Sequence, residues 1–395
     1  MIRRTVILLM VTIFAIGGLI SCAGPAPEAS YKIGILVSQT GKFSGLGLQS
    51  LEGMGIIVDE VNENGGINGI PLELVVYDDK SSATEVARMA KKLIEVDKVH
   101  ALVAGTVTAL SHSLVSVANE AKVPLVMLSG TALFDDQLGA WCFRPMTYEK
   151  DYIDLLLDYL GSDQGIIKLA ALLENSSYGE AGKVYLPKSV GDYNMTIVVT
   201  QHFDPAATDL TPQLTNIRKS DAQAIFIWGS SPAASFAVKQ ARIMGIAFPI
   251  VTTPSQSAPD RVKAFGEYYE MEPPLVSDDS KLAIWQQLPE NDPDKAMCRE
   301  FDQLVTKRYG HPATTWNGLG AQMMLFIEDG LKRAKVAPTN LEETRSKIRD
   351  AFETTKELNL FVGVYTMSPA DHCGKVAAKD VLVTFKEDET VLLTR

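Results

Sequence analysis

Strand-like and helix-like segments alternate from Lys32 to Thr252, and that alternation confines the chain to parallel sheets covered by helices. Residues 32–38 read as a first strand. Leu48, Leu51, Met54, Val58 and Val61 then recur at three- and four-residue spacing, so an amphipathic helix follows and stops at Asn64-Gly65-Gly66. The same reasoning gives strands at 72–77, 100–104 and 124–128 with helices at 82–95 and 110–121 between them. After Phe143-Arg144 the alternation restarts, with helices at 151–160, 179–190, 210–219 and 233–244 and strands at 168–173, 195–200, 224–228 and 249–252. Two similar half-chains imply two similar α/β lobes, and 395 residues suffice for two cores.

From about Glu270 the pattern changes to a Pro- and Asp-rich stretch, then helices near 297–309 and 319–334 without strands between them, which suits added cover for the first lobe. Short β segments at 381–385 and 391–393 suit closure of the second. The expected division is therefore 31–149 with 278–360 for one lobe and 150–277 with 361–395 for the other.

The first thirty residues are of another kind. Arg3 and Arg4 precede an apolar run from Val6 to Ile20 that falls short of the roughly 20 residues needed to span a bilayer. Residues 1–21 thus read as a signal peptide and 22–30 as a Pro/Ala/Ser tether. The Leu19-Ile20-Ser21-Cys22 ending resembles the lipobox of bacterial lipoproteins, which implies lipidation of Cys22 and a membrane anchor on an exported protein; ordinary cleavage nearby is the alternative. Beyond Cys22 only Cys142, Cys298 and Cys373 remain, enough for one disulfide at most and in no zinc-like spacing.

The net charge is −11, from 37 basic and 48 acidic residues, and no basic stripe is present to neutralise a phosphate backbone, which argues against nucleic acid. Enzyme signatures fail in turn. Gly45-Leu46-Gly47-Leu48-Gln49-Ser50 breaks the dinucleotide fingerprint at its last position, no phosphate loop or nucleophile elbow occurs, and the five histidines form no metal-like pair. Neither catalysis nor a cofactor nor a metal is expected.

In an open parallel sheet the ligand crevice lies beyond the carboxyl ends of the strands. The residues following the strands here are small and polar: Gln39-Thr40-Gly41, Thr106-Val107-Thr108, Ser129-Gly130-Thr131, Glu174 to Tyr178, Gly229-Ser230-Ser231, and Thr253-Pro254-Ser255-Gln256. Hydroxyls and glycines at helix starts offer backbone N–H and side-chain donors together, which suits a carboxylate, although any one of them alone serves as well as a helix cap.

The sequence resembles the type I periplasmic solute-binding proteins, in the leucine/isoleucine/valine-binding branch of ABC importers. The stretches that carry the resemblance run in order from about Tyr31 to Leu393: Ile33-Gly34-Ile35 to Thr40-Gly41, Asp59 to Asn62 with Gly65-Gly66-Ile67-Asn68-Gly69, Leu74 to Asp79, Val123-Pro124-Leu125, Phe143-Arg144, Tyr178-Gly179, Thr208-Asp209-Leu210, Gln240-Ala241-Arg242 with Gly245, and Asp371-His372 with Gly374. The resemblance implies two Rossmann-like lobes joined by three hinge strands, closing as a monomer on a small molecule for a membrane permease. It also implies that Thr108, Ser129 and Thr131 hold the ligand carboxylate and that Tyr178 closes over it. At other family positions this chain departs: Leu46 stands for an aromatic lid, Ser230 for a second tyrosine and Pro254 for the acid that pairs with an ammonium group. Gln39, Glu174 and Gln256 complete the expected site, with Glu174 as a substitute acid. A buried ammonium without a counter-charge costs several kcal/mol. The departures therefore favour an aromatic or branched carboxylic acid over an α-amino acid, with a true branched-chain amino acid binder or a ligand sensor of the same fold as alternatives.

Overall fold

Val37, Ala104 and Met127 end three neighbouring parallel strands on the same edge, and everything that positions the site follows from that edge. In the computed structural model, residues 29–395 are described except 131, 267, 269–271, 387, 388 and 394–395; the expected signal peptide and Cys22 lie outside the described residues. In the first lobe the chain runs β1 (Tyr31–Val37), α1 (Ser44–Glu63), β2 (Leu72–Asp78), α2 (Ala83–Glu95), β3 (Ala101–Ala104), α3 (Thr108–His112), α4 (Val115–Ala121), β4 (Leu125–Met127) and β5 (Cys142–Phe143). The strands form one parallel sheet in the order β2-β1-β3-β4-β5. The helix expected over 110–121 is two helices, because the Ser111 hydroxyl donates to Ala104 and Gly105 carbonyls and Ser113 to that of Leu110, competing with the helical ladder.

The second lobe repeats the scheme with α5 (Glu149–Asp158), β6 (Lys168–Glu174), α6 (Ser177–Ser189), β7 (Thr196–Phe203), α7 (Thr211–Lys219), β8 (Ala224–Trp228), α8 (Pro232–Ile243), β9 (Ile250–Thr252), α9 (Pro259–Phe265) and β10 (Leu275–Ser280). The sequence reading did not find β10, since Ser277-Asp278-Asp279-Ser280 looks like a loop, yet all six of its residues are buried. Helices α10 (Lys295–Tyr309), α11 (Thr315–Ala334) and α12 (Leu341–Phe352) then cover the first lobe. A small antiparallel sheet of β11 (Leu358–Asn359), β12 (Gly363–Tyr365) and β13 (Lys375–Ala378) follows, and β14 (Asp380–Lys386) and β15 (Glu389–Leu392) complete a seven-stranded second sheet, β15-β14-β10-β9-β8-β6-β7. Phe361, Val362, Tyr365, Met367 and Cys373 pack into the first-lobe core, whereas the sequence pattern had assigned everything after 360 to the second lobe. Burial of Phe361 against Phe301 of α10 accounts for that placement.

Helices α1 and α11 lie unusually close. A Cβ on Gly53 would meet the Asn317 carbonyl oxygen at 1.8 Å, and one on Gly320 would meet that of Ser50 at 1.9 Å, so only glycine lets the backbones approach this far. The chain passes between the lobes three times, after β5, after β10 and just before β14. Buried charges tie two of these crossings together: Lys281 bonds Asp292 (2.8 Å) and Asp294 (3.0 Å), and Asp294 also receives Lys379. Burial alone raises a carboxyl pKa, but the two lysines hold that of Asp294 below its ordinary value. Cys142, Cys298 and Cys373 are buried free thiols.

Candidate functional site

The strand ends of the two sheets face each other across the crossings, and the loops that follow them meet. Beyond β3, the Thr106 hydroxyl accepts the Ser38 backbone N–H (2.8 Å) and fixes the loop that leads into α3. Thr108, the first residue of α3, is 1% exposed, and its Oγ1 has no hydrogen-bond partner among the described residues. Beyond β4 come Ser129 and Gly130. From the second lobe, Tyr178 enters from the first turn of α6, Ser230 follows β8 and Ser255 follows β9. Together with Met146, Thr147 and Glu149 of the first crossing, Tyr152 of α5 and Trp316 of α11, these residues enclose a cavity of about 60 Å³ between the lobes.

Each wall is set by its surroundings. The Tyr178 ring stacks on Trp228 (centroids 5.0 Å apart, 14° between planes), and the Trp228 indole N–H donates to the Tyr178 carbonyl (2.9 Å), so ring and backbone are both held by β8. Burial, reinforced by the carboxyl of Asp278, pushes the Tyr178 phenol well above its ordinary pKa and keeps it a neutral donor. Helix α6 is capped by the Ser176 hydroxyl, which accepts the Gly179 N–H (3.1 Å).

The charge around the cavity is uneven. Arg144 is fully buried behind the first-lobe wall, where a Cβ on Gly130 would come within 2.6 Å of its Cδ, and its guanidinium makes two 2.8 Å bonds to the Asp135 carboxylate. Glu149, 1% exposed and within the electrostatic reach of Arg144, forms part of the cavity wall. Deeper still, Asp278 is 0% exposed with neither carboxyl oxygen hydrogen-bonded among the described residues; burial and then the neighbouring Asp380 raise its pKa well above the carboxylate range.

Of the residues expected from sequence, Thr108, Ser129, Tyr178 and Ser230 line this one cavity. Thr131 lies outside the described residues. The remaining five stand elsewhere, each for a visible reason. The Gln39 backbone N–H donates to Asp78 (2.9 Å) in a turn, and Leu46 is buried in the first-lobe core rather than on the cleft wall. Glu174 accepts the Ser231 N–H (3.0 Å) within the second lobe. Gln256 is spent on the Ser235 hydroxyl and the Gly229 and Ser231 carbonyls, while Pro254 opens the one-turn helix at Pro254–Gln256 and leaves Ser255 to reach the cavity. Thr147, Glu149, Tyr152 and Trp316 escaped sequence reasoning because they come from the first crossing, α5 and α11, not from strand ends.

Across the cleft mouth the lobes touch: the Arg261 guanidinium of α9 donates to the Lys42 carbonyl (3.2 Å) just before α1. Two α/β lobes joined by three chain crossings and meeting at a small enclosed cavity have the arrangement of a hinged solute-binding protein. The particular family follows from comparison: the periplasmic binding protein family model matches residues 30–379, and the chain belongs to that family. It is 24% identical over 213 residues to the Leu/Ile/Val-binding protein homolog 7 of Brucella abortus, a match covering 51% of this chain and 53% of the relative. To the leucine-, isoleucine-, valine-, threonine- and alanine-binding protein of Pseudomonas aeruginosa it is 22% identical, over 54% of this chain and 58% of the relative. The chain thus spans about half the length of the curated relatives it matches. Among solved structures, an extracellular ligand-binding receptor from Rhodopseudomonas palustris superposes with a TM-score of 0.83 at 22% identity, over 92% of this chain and all of that one. The branched-chain amino acid transporter substrate binding protein LivJ from Streptococcus pneumoniae, in complex with isoleucine, does so at 0.78 and 22%, over 93% and 100%.

Proposed function

We propose that this protein is the extracytoplasmic, lipid-anchored binding component of an ABC importer and captures a small carboxylate between its lobes for a membrane permease. The observation that carries the reading is Thr108 Oγ1, buried in the cavity without a partner beside Ser129 and Gly130, with Tyr178 and Ser230 opposite. An unsatisfied buried hydroxyl costs free energy that a bound carboxylate oxygen recovers. Closure of Tyr178 and Ser230 from the second lobe then makes the liganded form the stably shut one. Cys22 is the proposed anchor and the monomer the proposed working form.

For the ligand we favour an aromatic or branched acid, since Pro254 stands where an acid would meet an ammonium group. One observation favours the α-amino acid reading instead: Glu149 supplies a buried carboxyl on the cavity wall. A thermal-shift series decides between them, comparing leucine, isoleucine and valine with 4-methylpentanoate, 3-methylbutanoate and benzoate. Ligand at a hundredfold over Kd adds about 2.7 kcal/mol, enough for a midpoint shift of a few degrees. Shifts from the acids alone support the favoured reading. Equal shifts from leucine or valine that vanish in Glu149→Gln establish the amino acid, and the absence of a shift from all of them rules out a small branched or benzoate-type ligand.

A further inference from the structure

The cavity holding Thr108 is too small to be the whole site. At about 60 Å³ it falls well below the roughly 300–1,000 Å³ of small-molecule sites. A second cavity, of about 950 Å³, lies on the flank of the cleft where both lobes meet the crossings. Trp316, in the first turn of α11, belongs to the walls of both. Trp316 is 9% exposed and its indole N–H has no hydrogen-bond partner among the described residues, although buried indole N–H groups ordinarily find one. Beyond Trp316 the walls mix apolar Ala258, Ala283, Pro312 and Val391 with polar Gln49, Gln286 and His311, and Asp279 near the end of β10 is held by the Thr315 hydroxyl and the Ser280 backbone N–H.

We infer that the ligand's tail passes Trp316 into the flank cavity, so that the protein takes an arylalkanoic acid larger than a branched-chain amino acid. The inference rests on the carboxylate reading above and adds the size and chemistry of the rest of the molecule. A flat apolar tail suits the indole face and the alanine and proline walls. Trp316, standing at the junction, then sets specificity by which tails it lets past.

Calorimetric Kd values for 3-methylbutanoate, 3-phenylpropanoate and 5-phenylpentanoate test this, measured on the wild type and on Ala283→Phe and Val391→Trp, two substitutions that fill the flank cavity from different elements. Lengthening the tail is expected to tighten Kd by about tenfold or more in the wild type. In the filled variants that gain should vanish while 3-methylbutanoate binds as before, and unchanged apo melting shows each variant folded. Equal Kd values across the wild-type series, or a gain that survives in both folded variants, overturns the flank cavity as the tail site. Should no acid bind, 3-methylbutanoate included, the carboxylate reading itself fails and this inference with it; binding of the short acid without a tail effect sinks this inference alone.

Discussion

Thr108 carries two roles that its position in the sequence cannot separate, helix start and ligand contact. In the structure its hydroxyl makes no capping bond and has no partner among the described residues, while the residue lines the cavity. Thr108→Val keeps the shape and removes the donor. It should leave apo melting unchanged and weaken binding by about 1–3 kcal/mol, the range for a hydrogen bond to a charged group, as titration calorimetry can measure. Tyr178 gives a contrasting test, because its ring is stacked on Trp228 while its hydroxyl is separate from that packing. Tyr178→Phe should retain the midpoint of the apo protein and lose affinity; a loss of stability without loss of ligand would mark Tyr178 as a packing residue only. The sequence made both residues legible because each follows a strand end. It could not make Glu149 or Trp316 legible, since nothing in their local pattern distinguishes a residue on an interlobe crossing from one on the surface.

Among the elements, the α1–α11 pair shows how a lobe assembled from distant segments is held. Gly53 and Gly320 bring two helices, separated in sequence by most of the chain, into backbone contact. Across the same interface the Asn317 side chain donates to the Gln49 carbonyl (2.9 Å) and to Glu52 (3.0 Å). Gly53→Ala should force α11 outward and cost about 1–3 kcal/mol, the usual penalty for overpacking, despite alanine's better helix propensity. A lower thermal midpoint would register it, with a larger drop than for Gly55→Ala one half-turn away, where the nearest atom to a new Cβ is the flexible end of Tyr309 at 3.2 Å. The expected helices of α1, α2 and α10 were readable from their periodicity. Strand β10 was not, because its acids are buried by pairing with β9 and β14 and not by anything in its own composition.

In the whole molecule, closure and pH response come from groups gathered at the crossings. Arg261 donates to the Lys42 carbonyl across the mouth of the cleft, a contact that opening of the lobes would break. Arg261→Ala should therefore leave both lobes folded but shift the population toward the open form, seen as a larger radius of gyration in small-angle scattering and a faster ligand off-rate. Burial raises the Asp279 pKa from the ordinary carboxyl value to about 6. Between about pH 4 and 6 the folded protein then holds a proton that the unfolded chain has released, so this group's contribution to stability is full at the acid end and is lost as pH rises through 6. The melting difference between Asp279→Asn and the wild type should accordingly widen in favour of the variant from pH 4 to about 6.5 and stay level above. A constant difference across that range would mean that Asp279 does not titrate there.

The sequence by itself determined the class of architecture, because hydrophobic period and turn residues are local quantities: two α/β lobes, their strand order along the chain, and the polar loops after β3, β4, β8 and β9. Only the tertiary structure decided which of those loops share a cavity, that residues 361–373 pack with the first lobe, that Glu149 stands in the cavity wall, and that Trp316 belongs to the walls of a small cavity and a large one. Those facts depend on where three chain crossings place surfaces hundreds of residues apart in sequence, and such long-range packing is chosen by mutual burial, which no local pattern records.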